Sequence, residues 1–531
     1  MPATKAAQPR RIISSSFLLE MWPAVAIVIV IVLLHLLTNG RYGFFRDELQ
    51  FMSDGRHLDW GFVAYPPITP LLARISMSLF GVSLFGLRLF PTLAQAATLF
   101  VTALMAKELG AGRLGQSAAV LAMGFSLYSL FFGRVFMYTS FDYLWWVLAA
   151  YFAIRLLKSE NPRWWLAIGA VEGVGLLTKY TMAYLIAGIL CGALFTRARR
   201  YLMNGWFWGG CALALIIFLP NLVWQLRHDF ISYRFLQFVH ARDIDIGRSN
   251  GFLTEQLLYC VNPISAPIWI TGLVGYLRSQ RYRMIGWMYI VPFILFLITK
   301  GRSYYIAPAY AMLLAMGSVM AERWMDSSSR KTAQMKKARS RGRVARLRWP
   351  GNWSARQWAG AVFIFGLVLW GAWVCVVILP FQSKGALRDF AFIRNGNLMN
   401  EFGWNELIQT VTGIRDSLPP DQQAHLGILV GNYGEEGAIE ILGPGYHLPS
   451  PISTINSGWL RGYPTPSPTT LIVIGFSRDM APALFNGCKL AGHNGNSEGI
   501  KTQESLFPDI FLCGPPRQPW PEFWRDSPHF E

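Results

Sequence analysis

The sequence predicts a polytopic α-helical membrane protein of about eleven spans, followed by a small α/β domain. Three observations lead there. Apolar residues come in runs near the roughly 20 needed to cross a bilayer core, not in amphipathic periods. Only 15% of the 531 residues are charged and 53% are hydrophobic, whereas soluble domains carry about a quarter charged residues. Loops between the runs also alternate in character, every second one being basic, as cytoplasmic loops are. The net charge of +18 therefore reads as membrane orientation, and nucleic acid is not expected as a partner.

In chain order, residues 1–21 form a cytoplasmic tail with Arg10 and Arg11 before the first run, Trp22–Thr38. That run lacks a small-residue cleavage site and is read as a retained span. Spans are expected near 22–38, 86–106, 115–132, 139–157, 163–179, 181–196, 204–220, 262–277, 284–299, 305–321 and 358–380. The basic loops are Lys107–Arg113, Lys158–Arg163, Arg197–Arg200, Arg278–Arg283 and Glu322–Arg356. Residues 322–357 read as a basic cytoplasmic linker suited to anionic membrane lipid. Residues 381–531 turn polar and rich in Pro and Gly, and are expected on the outer, periplasmic side. Within them Leu426–Val430, Thr470–Ile474 and Ile510–Cys513 read as strands, and Glu435–Leu442 as a helix entered from a turn. Cys488 and Cys513 share this domain and are expected to form a disulfide. The cysteines offer no metal spacing.

Chemistry is expected in the first outer loop, 39–85, within a module of residues 22–321. Its stretch Arg41–Pro70 holds Asp47, Glu48, Asp54 and Asp59 with Arg41, Arg46, Arg56, a titratable His57 and many aromatics. Further polar clusters stand at outer span ends: Asp142, Thr178–Lys179–Tyr180, Asn221 with Gln225, and Lys300 to Tyr305. Ionisable groups at membrane depth are costly and mark function, although each alone also suits a snorkelling anchor or a structural ion pair. Glu172, inside an expected span, suits a buried structural pair equally well.

The run RDELQFMSDGRHLDWGFVAYPPITPLLARI, with FDYLWW, GLLTKYTM, PNLVWQ and KGRSYYIAPAYAMLLAMG, resembles bacterial glycosyltransferase family 39. That family includes relatives of protein O-mannosyltransferases and of the lipid A aminoarabinose transferase. The likeness covers roughly residues 20–320. It implies the GT-C fold, a first outer loop bearing an essential acid, and a polyprenyl-phosphate sugar donor with a lipid, protein or glycan acceptor.

By that resemblance Asp47 is the general base, with Glu48 beside it and Asp142 as a positioning group or metal ligand. A departing phosphate needs cations, for which Arg46, Lys179 and Arg302 are the candidates. His57, Tyr65, Asn221, Gln225, Tyr304 and Tyr305 are expected to line the substrate groove. A divalent cation is optional, since no metal box is legible. Asp243–Ile244–Asp245 spells the DxD of nucleotide-sugar enzymes, but it falls on the outer side and is read as coincidence. The resemblance thus points to a multi-pass inner-membrane glycosyltransferase with an outward site. The competing class is a transporter or lipid flippase, which would distribute its charges along a path and not gather them at one face.

Overall fold

A computed structural model describes residues 15–339 and 354–531, with side chains from 20 to 326 and from 354 onward. The tail 1–14 and residues 340–353 of the basic linker 322–357 lie outside the described residues. The apolar runs fold as helices because only helices and closed barrels satisfy their own backbone polar groups in lipid. Six helices have the length and composition to cross a membrane: Glu20–Thr38, Leu84–Glu108, Tyr138–Ser159, Gly205–Arg227, Ser303–Asp326 and Ala355–Ile378.

Two further expected spans are bent pairs, Arg113–Gly124 with Leu127–Arg134 (70°) and Phe252–Cys260 with Pro263–Arg278 (95°). Both breaks are capped. Ser126 Oγ accepts from Ser129 N at 3.3 Å, and Asn262 Oδ1 accepts from Ser265 N at 2.8 Å. Asn262 Nδ2 also donates to Ala122 O at 3.1 Å, so the breaks brace each other. The remaining three are short, Trp164–Leu176, Met182–Leu194 and Arg283–Ile298. Candidate spans among the described residues therefore number six, or eight with each bent pair counted once, where the sequence predicts eleven. Trp164–Leu176 and Met182–Leu194 are shorter than the expected spans because residues 177–181 form the turn between them. Small residues then let Trp164–Leu176 pack backbone to backbone on Gly205–Arg227: a Cβ on Gly169 would lie 2.0 Å from Gly210 O.

Beyond Ile378 the chain builds a five-stranded sheet in the order β2-β1-β3-β5-β4. The strands are β1 Leu426–Val430, β2 Pro451–Ser453, β3 Thr470–Ile474, β4 Lys489–His493 and β5 Asp509–Cys513. β2, β1 and β3 run parallel; β5 and β4 pair antiparallel at the other side. β1 and β3 are near-continuous apolar runs because both faces are covered. The helix Tyr433–Leu442 leaves β1 through Asn432, whose Oδ1 caps Glu435 N at 2.9 Å. It packs against the helix Arg46–Arg56 so closely that a Cβ on Gly437 would lie 2.5 Å from the Leu49 carbonyl carbon. A disulfide joins Cys488 and Cys513, with Cα atoms 4.1 Å apart.

Candidate active site

Arg46–Arg56 starts with Arg46, Asp47 and Glu48, and a carboxylate in a first helical turn gains from the positive end of the helix dipole. Successive residues point about 100° apart, and this separates the two acids. Glu48 turns inward. Its Oε1 accepts from Arg88 Nε and from Phe136 N, both at 2.9 Å, and its Oε2 accepts from Phe45 N at 2.8 Å. Arg88 also meets Glu401, which pairs with Arg134, and all four side chains are at most 1% exposed. Glu48 thus sits in a balanced ion network that clamps the first loop to the spans. It is not placed beside Asp47 in the cavity, where the sequence expects it, because its charge is consumed by Arg88.

Asp47 faces a cavity of about 770 Å³. Arg46, Tyr65, Tyr138, Lys179, Arg302, Tyr305, Tyr433 and Glu531 also line it. Burial pushes the Asp47 carboxyl above its ordinary range, opposed by the Arg46 charge and by the Tyr433 hydroxyl, which donates to its Oδ1 at 2.9 Å. Lys179 reaches the cavity from the turn after Trp164–Leu176. Its Nζ donates to Thr139 Oγ1 at 3.2 Å and lies 4.1 Å from the Tyr305 ring centre and 5.0 Å from that of Tyr304. Among the described residues no carboxylate stands within ion-pair distance of it.

Arg302 is held by Asp243, Nε to Oδ2 at 2.5 Å and Nη2 to Oδ1 at 3.1 Å, and donates to the Tyr304 hydroxyl at 3.2 Å. Asp243, first acid of the DxD spelling, is therefore a partner of a cavity arginine, while Asp245 is exposed.

The other expected residues are placed around this core. Asp142 is buried behind the wall, where its Oδ2 accepts from Thr181 Oγ1 at 3.3 Å and it feels the Lys179 charge. Tyr65 donates to Asp54 Oδ2 at 2.5 Å, and Asp54 pairs with Arg461 of the C-terminal part. Four groove candidates are not in the cavity lining. Tyr304 stands beside it, its hydroxyl accepting from Arg302 Nη1 at 3.2 Å. His57 faces Glu440 Oε1 at 3.3 Å. Asn221 donates to Trp60 O at 2.7 Å, and Gln225 to the Tyr180 hydroxyl at 2.7 Å, so both brace wall segments from behind. Polar side chains near a site are drawn to the nearest unsatisfied backbone or hydroxyl group, which is what removes them from the groove.

Sequence reasoning missed Tyr433, Glu531 and Asn456, all from the C-terminal part and all in the cavity lining. Arg46 stacks over the Tyr433 ring at 4.1 Å and donates to Glu531 Oε1 at 2.8 Å. Glu531 in turn is held by Asn456 Oδ1, which accepts its N–H at 3.2 Å. The local signal was the stretch GNYGEEG at 431–437, the turn from which the expected helix Glu435–Leu442 is entered. Among the described residues no three His, Cys, Asp or Glu side chains gather as a metal site, so no step is routed through a metal.

Residues 64–224 match a family profile described as dolichyl-phosphate-mannose-protein mannosyltransferase. Over 278 residues the chain is 27% identical to a lipid A galacturonosyltransferase, RgtD, of Rhizobium johnstonii, covering 50% of this chain and 57% of that one. Over 281 residues it is 24% identical to an undecaprenyl phosphate-α-4-amino-4-deoxy-L-arabinose arabinosyl transferase of Pseudomonas fluorescens, covering 49% and 48%. The chain thus spans about half the length of the curated relatives it matches. In structure it is similar to ArnT from Cupriavidus metallidurans, with a TM-score of 0.54 in the apo state and 0.52 bound to undecaprenyl phosphate. Identity to each is 16%, covering 92% of this chain and 97% of that one. The chain is a multi-pass helical membrane protein, similar in sequence over about half its length to membrane sugar transferases and sharing the fold of ArnT over most of its length.

Proposed function

We propose that this protein moves a sugar from a polyprenyl-phosphate donor to a hydroxyl of a lipid acceptor, at the outer face of a bacterial inner membrane. The observation that carries the reading is one cavity holding both halves of that chemistry, an acid, Asp47, and two cations, Lys179 and Arg302. The acceptor oxygen attacks the anomeric carbon and its proton passes to Asp47. The bond from that carbon to the phosphate oxygen breaks, and the charge on the departing polyprenyl phosphate is met by Lys179 and Arg302. Tyrosines 65, 138 and 305 supply the aromatic walls on which sugar rings and an isoprenoid rest. The similar proteins support this, since their names include two lipid-directed or undecaprenyl-phosphate-linked sugar transferases. The alternating basic loops support an outward cavity, on the same side as residues 381–531. A transport path is not favoured, because the cavity's charges gather at one end of the helices.

The test uses purified full-length protein in nanodiscs with undecaprenyl-phosphate galacturonate, aminoarabinose and mannose as a radiolabelled panel, and lipid A as acceptor. Transfer of one label is expected, with loss of at least 100-fold in Asp47→Asn, the usual scale of a lost general base. Full transfer by Asp47→Asn would reject the base assignment.

A further inference from the structure

Among the described residues Asp47 Oδ1 has one hydrogen-bond donor from outside its own helix, the hydroxyl of Tyr433, 386 positions away. Tyr433 is itself tightly held. It begins a capped helix, its N–H donates to Glu531 Oε2 at 3.2 Å, and its ring lies under the Arg46 guanidinium. Glu531 holds that guanidinium at 2.8 Å, and among the described residues Arg46 makes no ion pair with Asp47 within 4 Å. The neighbouring guanidinium is thus held by Glu531, Glu504 and the tyrosine ring, and acts on Asp47 through space without a direct ion pair.

We propose that Tyr433 is a positioning residue, its hydroxyl fixing Oδ1 of Asp47 so that Oδ2 takes the acceptor's proton. The proposal rests on the reading of Asp47 as base. A carboxylate without such a donor rotates, presenting either oxygen. A neutral donor fixes it without the loss of basicity that a bidentate arginine imposes. The C-terminal part therefore contributes to the reaction and does not only cover the membrane module. Other titratable or charged groups whose charge reaches Asp47 are Arg46 and the inward-turned Glu48 of its own helix, Arg302 across the cavity, Tyr65 and Tyr138, with Glu531 and Glu504 acting through Arg46.

Tyr433→Phe in the full-length protein removes one oxygen and keeps the ring under Arg46. A hydrogen bond to a charged group is worth enough for about a tenfold fall in kcat, with KM for the consumed donor unchanged. The donor favours the ionised carboxylate, so its loss raises the midpoint of the acid limb by about one pH unit. The same midpoint is readable without substrate, from the infrared carboxyl band that Asp47→Asn deletes. A retained kcat with an unmoved midpoint overturns the proposal, and so does a reduced kcat with an unmoved midpoint, which marks a structural role. Where Tyr433→Phe does not accumulate, difluorotyrosine at position 433, a stronger donor of the same shape, must lower the midpoint. An Asp47→Asn variant with normal turnover instead rejects the base reading itself.

Discussion

Lys179 is 7% exposed, with a hydroxyl and tyrosine rings around it and, among the described residues, no carboxylate within ion-pair distance, Asp142 acting on it only from further off. Holding an unpaired cation there is costly, and a phosphate ligand would repay it. Lys179→Met should therefore abolish transfer while leaving the melting temperature equal or higher; a large loss of stability would make the lysine structural. Glu48 is the opposite case, a buried charge already matched. Glu48→Gln strips the anion facing Arg88 and should cost about 3 kcal/mol in unfolding free energy, measured by denaturant titration in micelles; an unchanged midpoint would show the network to be idle. Both acids were legible as a charged cluster at a span end. Which one faced the cavity was not, because that depends on where Arg88 and Phe136 stand across the fold.

The helix Tyr433–Leu442 carries a further titration. Burial pushes the Glu435 carboxyl up to about 8, and the charges of Glu504 and Glu531 add to this. Its folded pKa exceeds the unfolded value of 4.5, so folding favours the protonated form. The penalty is absent below about pH 4.5, grows up to about pH 8 and then levels. Glu435→Gln should match the parent's melting temperature at pH 5 and exceed it at pH 8; a gap that does not widen with pH would contradict this. At this scale β1, β3 and β5 were readable from their apolar runs. β2, of three residues, and β4, an exposed edge with no alternation, carry too little pattern to be read. The bent helix pairs were hidden for a related reason, since hydropathy records the apolar run and not the caps at Ser126 and Asn262 that turn it.

For the whole molecule, reporter fusions at positions 340 and 420 should fall on opposite sides of the membrane; placement on the same side would undo the proposed outward cavity. The disulfide joins residues 25 apart, and closing such a loop restricts the unfolded chain by about 3 kcal/mol. Cys488→Ser should lower the melting temperature of the full chain, and dithiothreitol should lower the parent's alone. An equal response of both proteins to the reductant would show the bond to be absent in solution.

By itself the sequence determined the helical membrane class and singled out Asp47 and the cations Arg46, Lys179 and Arg302 that line one cavity. Each of these is written in local composition, as apolar runs of bilayer length and charges at their ends. The tertiary structure alone decided which of two adjacent acids meets the cavity, that Asn221 and Gln225 brace walls from behind while His57 turns to Glu440, and that Tyr433 and Glu531 reach in from the other end of the chain. Those outcomes depend on contacts between segments hundreds of residues apart, and no local pattern encodes which surfaces a folded chain brings together.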